Sequence, residues 1–334
     1  MIRASLLAIV LSFTTEAAIA QTAIELQGIT ETTAADRPIP RTPQGHPDFG
    51  GYWATAFITP TSRMEGATTL VVSDAEAKEL SRRFVEFANS PAAGTLIDPD
   101  FFVAGVDKLA RVNGEWRTSL ITSPASGMQN YTPEGKRLDQ ERRELTARAA
   151  EGPEMRPLFE RCIVGIGSAP LTTVPGTLIR HFVQTPENLV IASDGNDTRI
   201  VGLNAVPRPV GLTAMLGDST AHWEGDVLVV HTTGLSGQVH RQIITRPQSR
   251  VIERFRLISA NELLYRFTVE DTGIYVTPWS AEFVLQRSGD ERVFEYSCHE
   301  HNYSMTNILQ GARVADQKAT KAKLAKAQGK NSRS

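Results

Sequence analysis

The residues able to move protons gather in the second half of the chain. Seven histidines occur: His46, His181, His222, His231, His240, His299 and His301. His222, His231 and His240 stand at a nine-residue interval, and His299 and His301 flank Glu300. The phenols of Tyr296 and Tyr303 lie beside the second group, and Arg180 and Arg254 are available cations. Such a set suits proton transfer, with imidazole or phenol as acid or base and a guanidinium steadying an anion. His222, His231, His299, His301 and Tyr303 are the catalytic candidates, and Arg180, Arg254 and Tyr296 the substrate-binding candidates.

Each candidate also has a plain structural reading. Along an extended Val227–Thr233, His231 shares a face with Val227 and Val229, as a hydrogen-bonded histidine at a strand end would. His299 and His301 project to one side of an extended segment and could chelate a divalent ion, but no third ligand is fixed by spacing. The helical H-E-x-x-H arrangement is absent, because His301 and Asn302 follow Glu300. There is no G-x-S-x-G nucleophile elbow and no phosphate-binding G-x-x-x-x-G-K-[ST] loop. Gly165-Ile166-Gly167-Ser168 lacks the third glycine of a dinucleotide loop. No metal or cofactor is therefore expected.

These residues need a frame, and the pattern around them is β. Leu216–Leu235 reads as a hairpin, with Glu224 and Asp226 flanking its glycine and Asp218 capping backbone amides. Short alternating runs at 178–183, 189–193, 198–203, 227–233, 251–258, 263–270, 280–286 and 293–297 recur at near-regular spacing. They predict an antiparallel meander, closed as a barrel or folded as a sandwich, preceded by a first strand at 52–58 with Trp53 as a core plug. Two peripheral helices are expected. One spans 73–88, capped at Ser73 or Asp74, with Leu80, Phe84 and Phe87 on its apolar side. The other spans 132–150, capped by Thr132 with Pro133 at its first position. A short helical turn is expected at 305–312.

Arg3, the apolar run Leu6–Phe13 and Ala18-Ile19-Ala20 have the form of a signal peptide cleaved near Ala20. The expected organisation is a leader over 1–20, an extended lead-in over 21–40, one β-rich domain over 41–313 and a basic flexible tail over 314–334. Location is then periplasmic or secreted. Hydrophobic residues make up 41% of the 334 and the formal charge is −2, enough apolar material for one sizeable core. Six basic residues against Asp316 occupy the tail, so the body is acidic, which argues against a nucleic-acid partner. No run after the leader is long enough to span a membrane. In an oxidising compartment Cys162 and Cys298 either pair or remain two buried thiols.

Several motifs together resemble a large family of secreted bacterial proteins. They are Arg41-Thr-Pro-x-Gly-x-Pro-Asp-Phe-x-Gly-x-Trp53, Gln184-Thr185-Pro186, Gly217-Asp-Ser-x-x-x-Trp-Glu-Gly-Asp226, Val251-x-Glu-Arg-Phe255, Thr277-Pro-Trp279 and Cys298-His-Glu-x-Asn302. The resemblance covers roughly Arg41–Arg313 and implies a predominantly β, lipocalin-like fold. This chain departs from the family pattern at His301, where glycine is usual, and along Ser193–Met215. It is also similar to sphingomonad lyases of phenylcoumaran lignin dimers, which remove the γ-carbon as carbon dioxide or formaldehyde while the ring opens to a stilbene. What that resemblance implies is a cofactor-independent carbon–carbon lyase acting on a phenolic, hydrophobic aromatic. A non-catalytic binder of a hydrophobic small molecule and a metal-dependent hydrolase using His299 and His301 stay open as alternatives.

Overall fold

The computed structural model describes residues 37–331, apart from 91–105, 148–151, 157, 159, 164–166, 174–175, 195–196, 210, 238–242, 290–291, 296 and 301. The proposed leader, His240, Tyr296 and His301 lie outside the described residues.

Thirteen β-strands and three α-helices are found among the described residues. Nine strands close a barrel: β1 (Gly51–Phe57), β6 (Gly176–Gln184), β7 (Asn188–Ser193), β8 (Thr198–Leu203), β9 (Asp218–Glu224), β10 (Val227–Thr233), β11 (Arg250–Ser259), β12 (Glu262–Glu270) and β13 (Trp279–Ser288). Closure comes from β1, which pairs with β6 along its length and with the end of β13, Trp53 facing Arg287. The start of β13 pairs instead with β5 (Ile121–Ser123). The fold is therefore mainly β, as the alternation predicts, and of the barrel and the sandwich it is the barrel, consistent with a lipocalin-like architecture with helices at its periphery.

One pairing departs from the antiparallel pattern. Strands β8 and β9 run parallel, Val201 facing Ser219, so residues 204–217 must cross back to the other end of the barrel. Asp218 fixes the crossover by accepting the Arg208 amide at 2.8 Å. Gly217 ends it at φ +73°, where a Cβ would lie 2.8 Å from the Thr233 carbonyl oxygen, so glycine is required there. No strand is found among the described residues of the run expected at 293–297, where 293–295 and 297 are irregular.

Period-2 alternation sorts the side chains. Trp53, Phe182, Leu189, Ile191, Val201, Leu228, Val230, Phe255, Tyr265, Phe283 and Leu285 point inward and are buried in one cluster. Their rings touch in sequence: Trp53–Phe182, Phe182–Phe255, Phe255–Tyr265 and Tyr265–Phe283, with centroids 5.0–6.5 Å apart. Burial of this aromatic surface is the main stabilising term.

The motif at 41–53 packs on the hairpin turn at 223–226. Arg41 makes two hydrogen bonds to Asp226 at 2.8 and 2.9 Å, and His46 stacks on Trp223 at 4.4 Å. Both motifs are thus framework.

A second layer covers the outside of β13. It holds the sheet β2–β4–β3 (Val71–Val72, Glu115–Arg117, Arg111–Val112) and helix α1 (Asp74–Ala88). Ser73 and Glu76 form the capping box of α1, while Phe87 is exposed rather than on the packed side. Helix α2 spans Pro133–Ala147, and its Gly135 amide donates to Thr132 Oγ1 at 3.0 Å. Helix α3 spans Tyr303–Asn331 without a break, longer than the single turn predicted at 305–312. Beyond Ala312 its described side chains, through residue 325, are exposed, and a run rich in alanine and lysine propagates helix well without burial. No helix among the described residues is long and apolar enough to cross a membrane.

Candidate functional site

The inward alternation of four strands brings charged groups into the barrel. On β6 it turns Arg180 inward between Leu178 and Phe182; on β8, Arg199 beside Val201; on β11, Glu253 between Val251 and Phe255; on β12, Tyr265 between Leu263 and Phe267. All four are buried.

Arg199 holds Glu253 by two hydrogen bonds of 2.8 and 2.9 Å. Tyr265 donates to Glu253 Oε1 at 2.7 Å, and its oxygen accepts the Leu171 amide at 2.8 Å. The result is a continuous chain of hydrogen bonds from guanidinium to carboxylate to phenol to backbone. Burial and the neighbouring Glu253 push the Tyr265 pKa well above the ordinary phenol value. Burial opposes the charge on Arg199, but attraction to and hydrogen bonding with Glu253 outweigh it, and its pKa is raised.

Arg180 is different. Its Nη2 donates to the Thr172 carbonyl oxygen, while Nε and Nη1 find no acceptor. Burial lowers its pKa to about 10, against the pull of Tyr265 and Asp194. Asp194 itself is engaged by the Ile179 amide at 2.8 Å. Arg180 and Ser193 face each other across β6 and β7, and Ser193 Oγ and Arg199 Nε also lack partners.

The wall over this cluster is the stretch 167–173, every residue of which is buried. It supplies both Leu171 and Thr172. Cys162, just before it, is joined by a disulfide to Cys298, with Cα atoms 5.7 Å apart. Asn302 completes that corner by donating to the Glu160 carbonyl oxygen at 2.8 Å and accepting the Met305 amide at the start of α3. The Cys298-His-Glu-x-Asn302 motif thus builds a corner.

The sequence-derived candidates separate in space. Of them, Arg180 is inside the barrel. His222 and His231 lie on its outer surface, their rings stacked at 5.6 Å with an interplanar angle of 9°. His222 Nε2 is 3.3 Å from Glu224 Oε1, and Arg250 donates to His231 Nδ1 at 3.2 Å. Burial first, then Arg250, His222 and Arg254, lower the His231 pKa. Arg254 is exposed on the same outer face, opposite Val229. His299 sits exposed in the turn before α3, and Tyr303, the first residue of α3, is 70% exposed. Among the described residues no group of three or more His, Cys, Asp or Glu could hold a metal ion. An open groove of about 350 Å³ between residues 66–72 and α1 is lined by none of the candidates.

No family profile, curated protein or solved structure matches the chain.

Arg199, Glu253 and Tyr265 were not singled out by sequence reasoning, although a signal existed. Glu253 is part of Val251-x-Glu-Arg-Phe255 and occupies the same alternation phase as Val251 and Phe255. Its neighbour Arg254 takes the opposite phase and faces out. Counting phase along β11 separates the interior acid from the exterior base.

Proposed function

We propose that the protein is a cofactor-independent lyase acting on a hydrophobic phenolic aromatic, with the interior of the barrel as its site. The observation that carries the reading is the hydrogen-bonded chain Arg199–Glu253–Tyr265, set among aromatic rings beside a guanidinium with free donors. The motif resemblance supplies the substrate class.

The chemistry asks little of a protein. In a phenylcoumaran bearing a hydroxymethyl group, loss of the alcohol proton lets the carbon–carbon bond break with release of formaldehyde. Its electron pair forms the stilbene double bond, and the ring carbon–oxygen bond breaks to a phenolate that takes up a proton. A carboxylate substrate loses carbon dioxide by the same electron flow. Both routes are redox-neutral. Tyr265 and Glu253 are the pair suited to moving the proton, and a buried cation would stabilise the phenolate in a low-dielectric interior. The Cys162–Cys298 disulfide favours an oxidising compartment, in keeping with an exported protein.

The test is incubation of the purified full chain with alcohol and carboxylate phenylcoumarans, following stilbene absorbance. Stilbene from either form supports the reading, and unchanged substrate from both contradicts it. The second reading, a non-catalytic binder, is favoured by the close aromatic contacts around Tyr265. It requires a ligand that binds and is recovered with unaltered mass.

A further inference from the structure

The polar groups inside the barrel do not balance. Arg199 and Glu253 satisfy one another, which leaves the charge of Arg180 without a hydrogen-bonded carboxylate. Removing a guanidinium from water costs several kcal/mol of solvation, and a protein interior recovers this only through a counter-charge or full hydrogen bonding. For Arg180 both fall short: Asp194 attracts it but does not outweigh burial, one nitrogen reaches a backbone carbonyl, and two have no acceptor. Around it stand two further buried donors without partners, Ser193 Oγ and Arg199 Nε. Their placement is fixed by register. Ser193 is directly opposite Arg180, and Arg199 is on the next strand, opposite Ile191 and so diagonal to Ser193. Trp53 faces Arg180 from the other side, across β1 and β6.

Unpartnered donors are rare in protein interiors. Here three residues on three adjacent strands carry them, together with one positive charge that no carboxylate meets by a hydrogen bond. Asp194 and Asp197, the nearest acids on the connecting turn, are engaged by the amides of Ile179 and Gly167.

We infer that Arg180, Ser193 and Arg199 form a subsite for one anionic oxygen group, a carboxylate or a phenolate, carried by an aromatic ligand. The subsite rests on the proposed function only in taking the barrel interior as the place where the ligand sits. A monoanion would neutralise Arg180, and the neighbouring Trp53 and Phe182 rings would cover its apolar body. A dianion is disfavoured because Glu253 already supplies one negative charge to the same region. Thr172, whose carbonyl oxygen now occupies the third Arg180 nitrogen, stands where the ligand oxygen would compete with it.

The experiment uses the full chain and two anionic probes, benzoate and 4-nitrophenolate, with benzamide as the neutral counterpart of benzoate. Quenching of buried Trp53 reads binding, and the visible absorbance of nitrophenolate reads its ionised fraction. The expected result is saturable binding of at least one anion, at least tenfold tighter than benzamide. Arg180→Met should weaken that binding at least tenfold, and Ser193→Ala should weaken it about threefold to tenfold, as loss of one hydrogen bond to a charged group does. Saturation by benzoate alone assigns a carboxylate, and enrichment of the nitrophenolate form alone assigns a phenolate. Benzamide binding as tightly as benzoate, anion binding unchanged in both variants, or no anion binding would overturn the inference. Should Arg180→Met fail to fold, Ser193→Ala decides the matter. The stilbene assay is separate. Anion binding without stilbene leaves the subsite standing and removes the lyase, whereas stilbene formation at the wild-type rate in Arg180→Met does the reverse.

Discussion

Arg199 grips Glu253 through two parallel hydrogen bonds in the middle of the barrel, on β8 and β11, both buried. These strands are not neighbours, so the pair spans the barrel and ties opposite walls together. Breaking it from one side leaves a buried charge alone. Glu253→Gln should destabilise the protein by about 3–5 kcal/mol, and Arg199→Met with Glu253→Met should restore much of that loss. Urea unfolding of the three proteins checks the pattern. Additive losses in the double variant would contradict it.

On the outer face, His231 makes stability depend on pH. His231 has a folded-state pKa below the ordinary histidine value, chiefly through burial and then Arg250. Between those two pH values the unfolded chain binds more protons than the folded one, so stability rises with pH through that window. Thermal unfolding across pH 5 to 7 should show this slope, roughly the range where histidine titrates, and His231→Gln should flatten it. A slope of opposite sign would contradict the account.

The disulfide closes a long loop. Cys162 and Cys298 are 136 residues apart in sequence. Replacing both with serine should cost roughly 4–5 kcal/mol in the chain-entropy model. The protein should also lose protection of the 168–173 amides in hydrogen exchange, because the wall over the interior cluster begins just after Cys162. Unchanged exchange there would mean that the bridge does not help to hold that wall.

Gly217 gives a local test of the crossover. Its positive φ and the nearby Thr233 oxygen leave no room for a side chain, so Gly217→Ala should destabilise by about 1–3 kcal/mol. Gly225→Ala, also at positive φ but with open space around it, should cost less. Equal losses would show that backbone conformation alone sets the cost.

Much of the frame was legible because its signal is local. Alternation along β6, β7, β8, β10, β11 and β12 located each strand to within two residues, and Ser73 and Thr132 marked where α1 and α2 begin. What escaped was set by partners distant in sequence. The parallel pairing of β8 with β9 depends on where residues 204–217 travel, which no periodicity encodes. The straight run of α3 comes from propensity over its whole length, which a short apolar stripe at 305–312 understates.

The site was legible in part, for a related reason. Histidine attracts notice by its titration range, yet His222 and His231 occupy the outer phase of β9 and β10. Glu253 and Tyr265 look ordinary in sequence; the β11–β12 hairpin makes them neighbours, and Arg199 joins them only across the barrel. Ser193 and Arg199 belong to none of the motifs quoted from the sequence, so nothing local drew attention to them.

Whether the chemistry belongs to the interior or to the outer face is settled most directly by one comparison of rates. Stilbene formation would be followed for the wild-type chain, for Tyr265→Phe, which keeps the ring and removes the hydroxyl, and for His222→Ala with His231→Ala. The account expects Tyr265→Phe to slow turnover by about 10²-fold or more, the usual worth of a positioned acid or base, with the double histidine variant close to wild type. Full activity in Tyr265→Phe together with loss of activity in the histidine variant would contradict it.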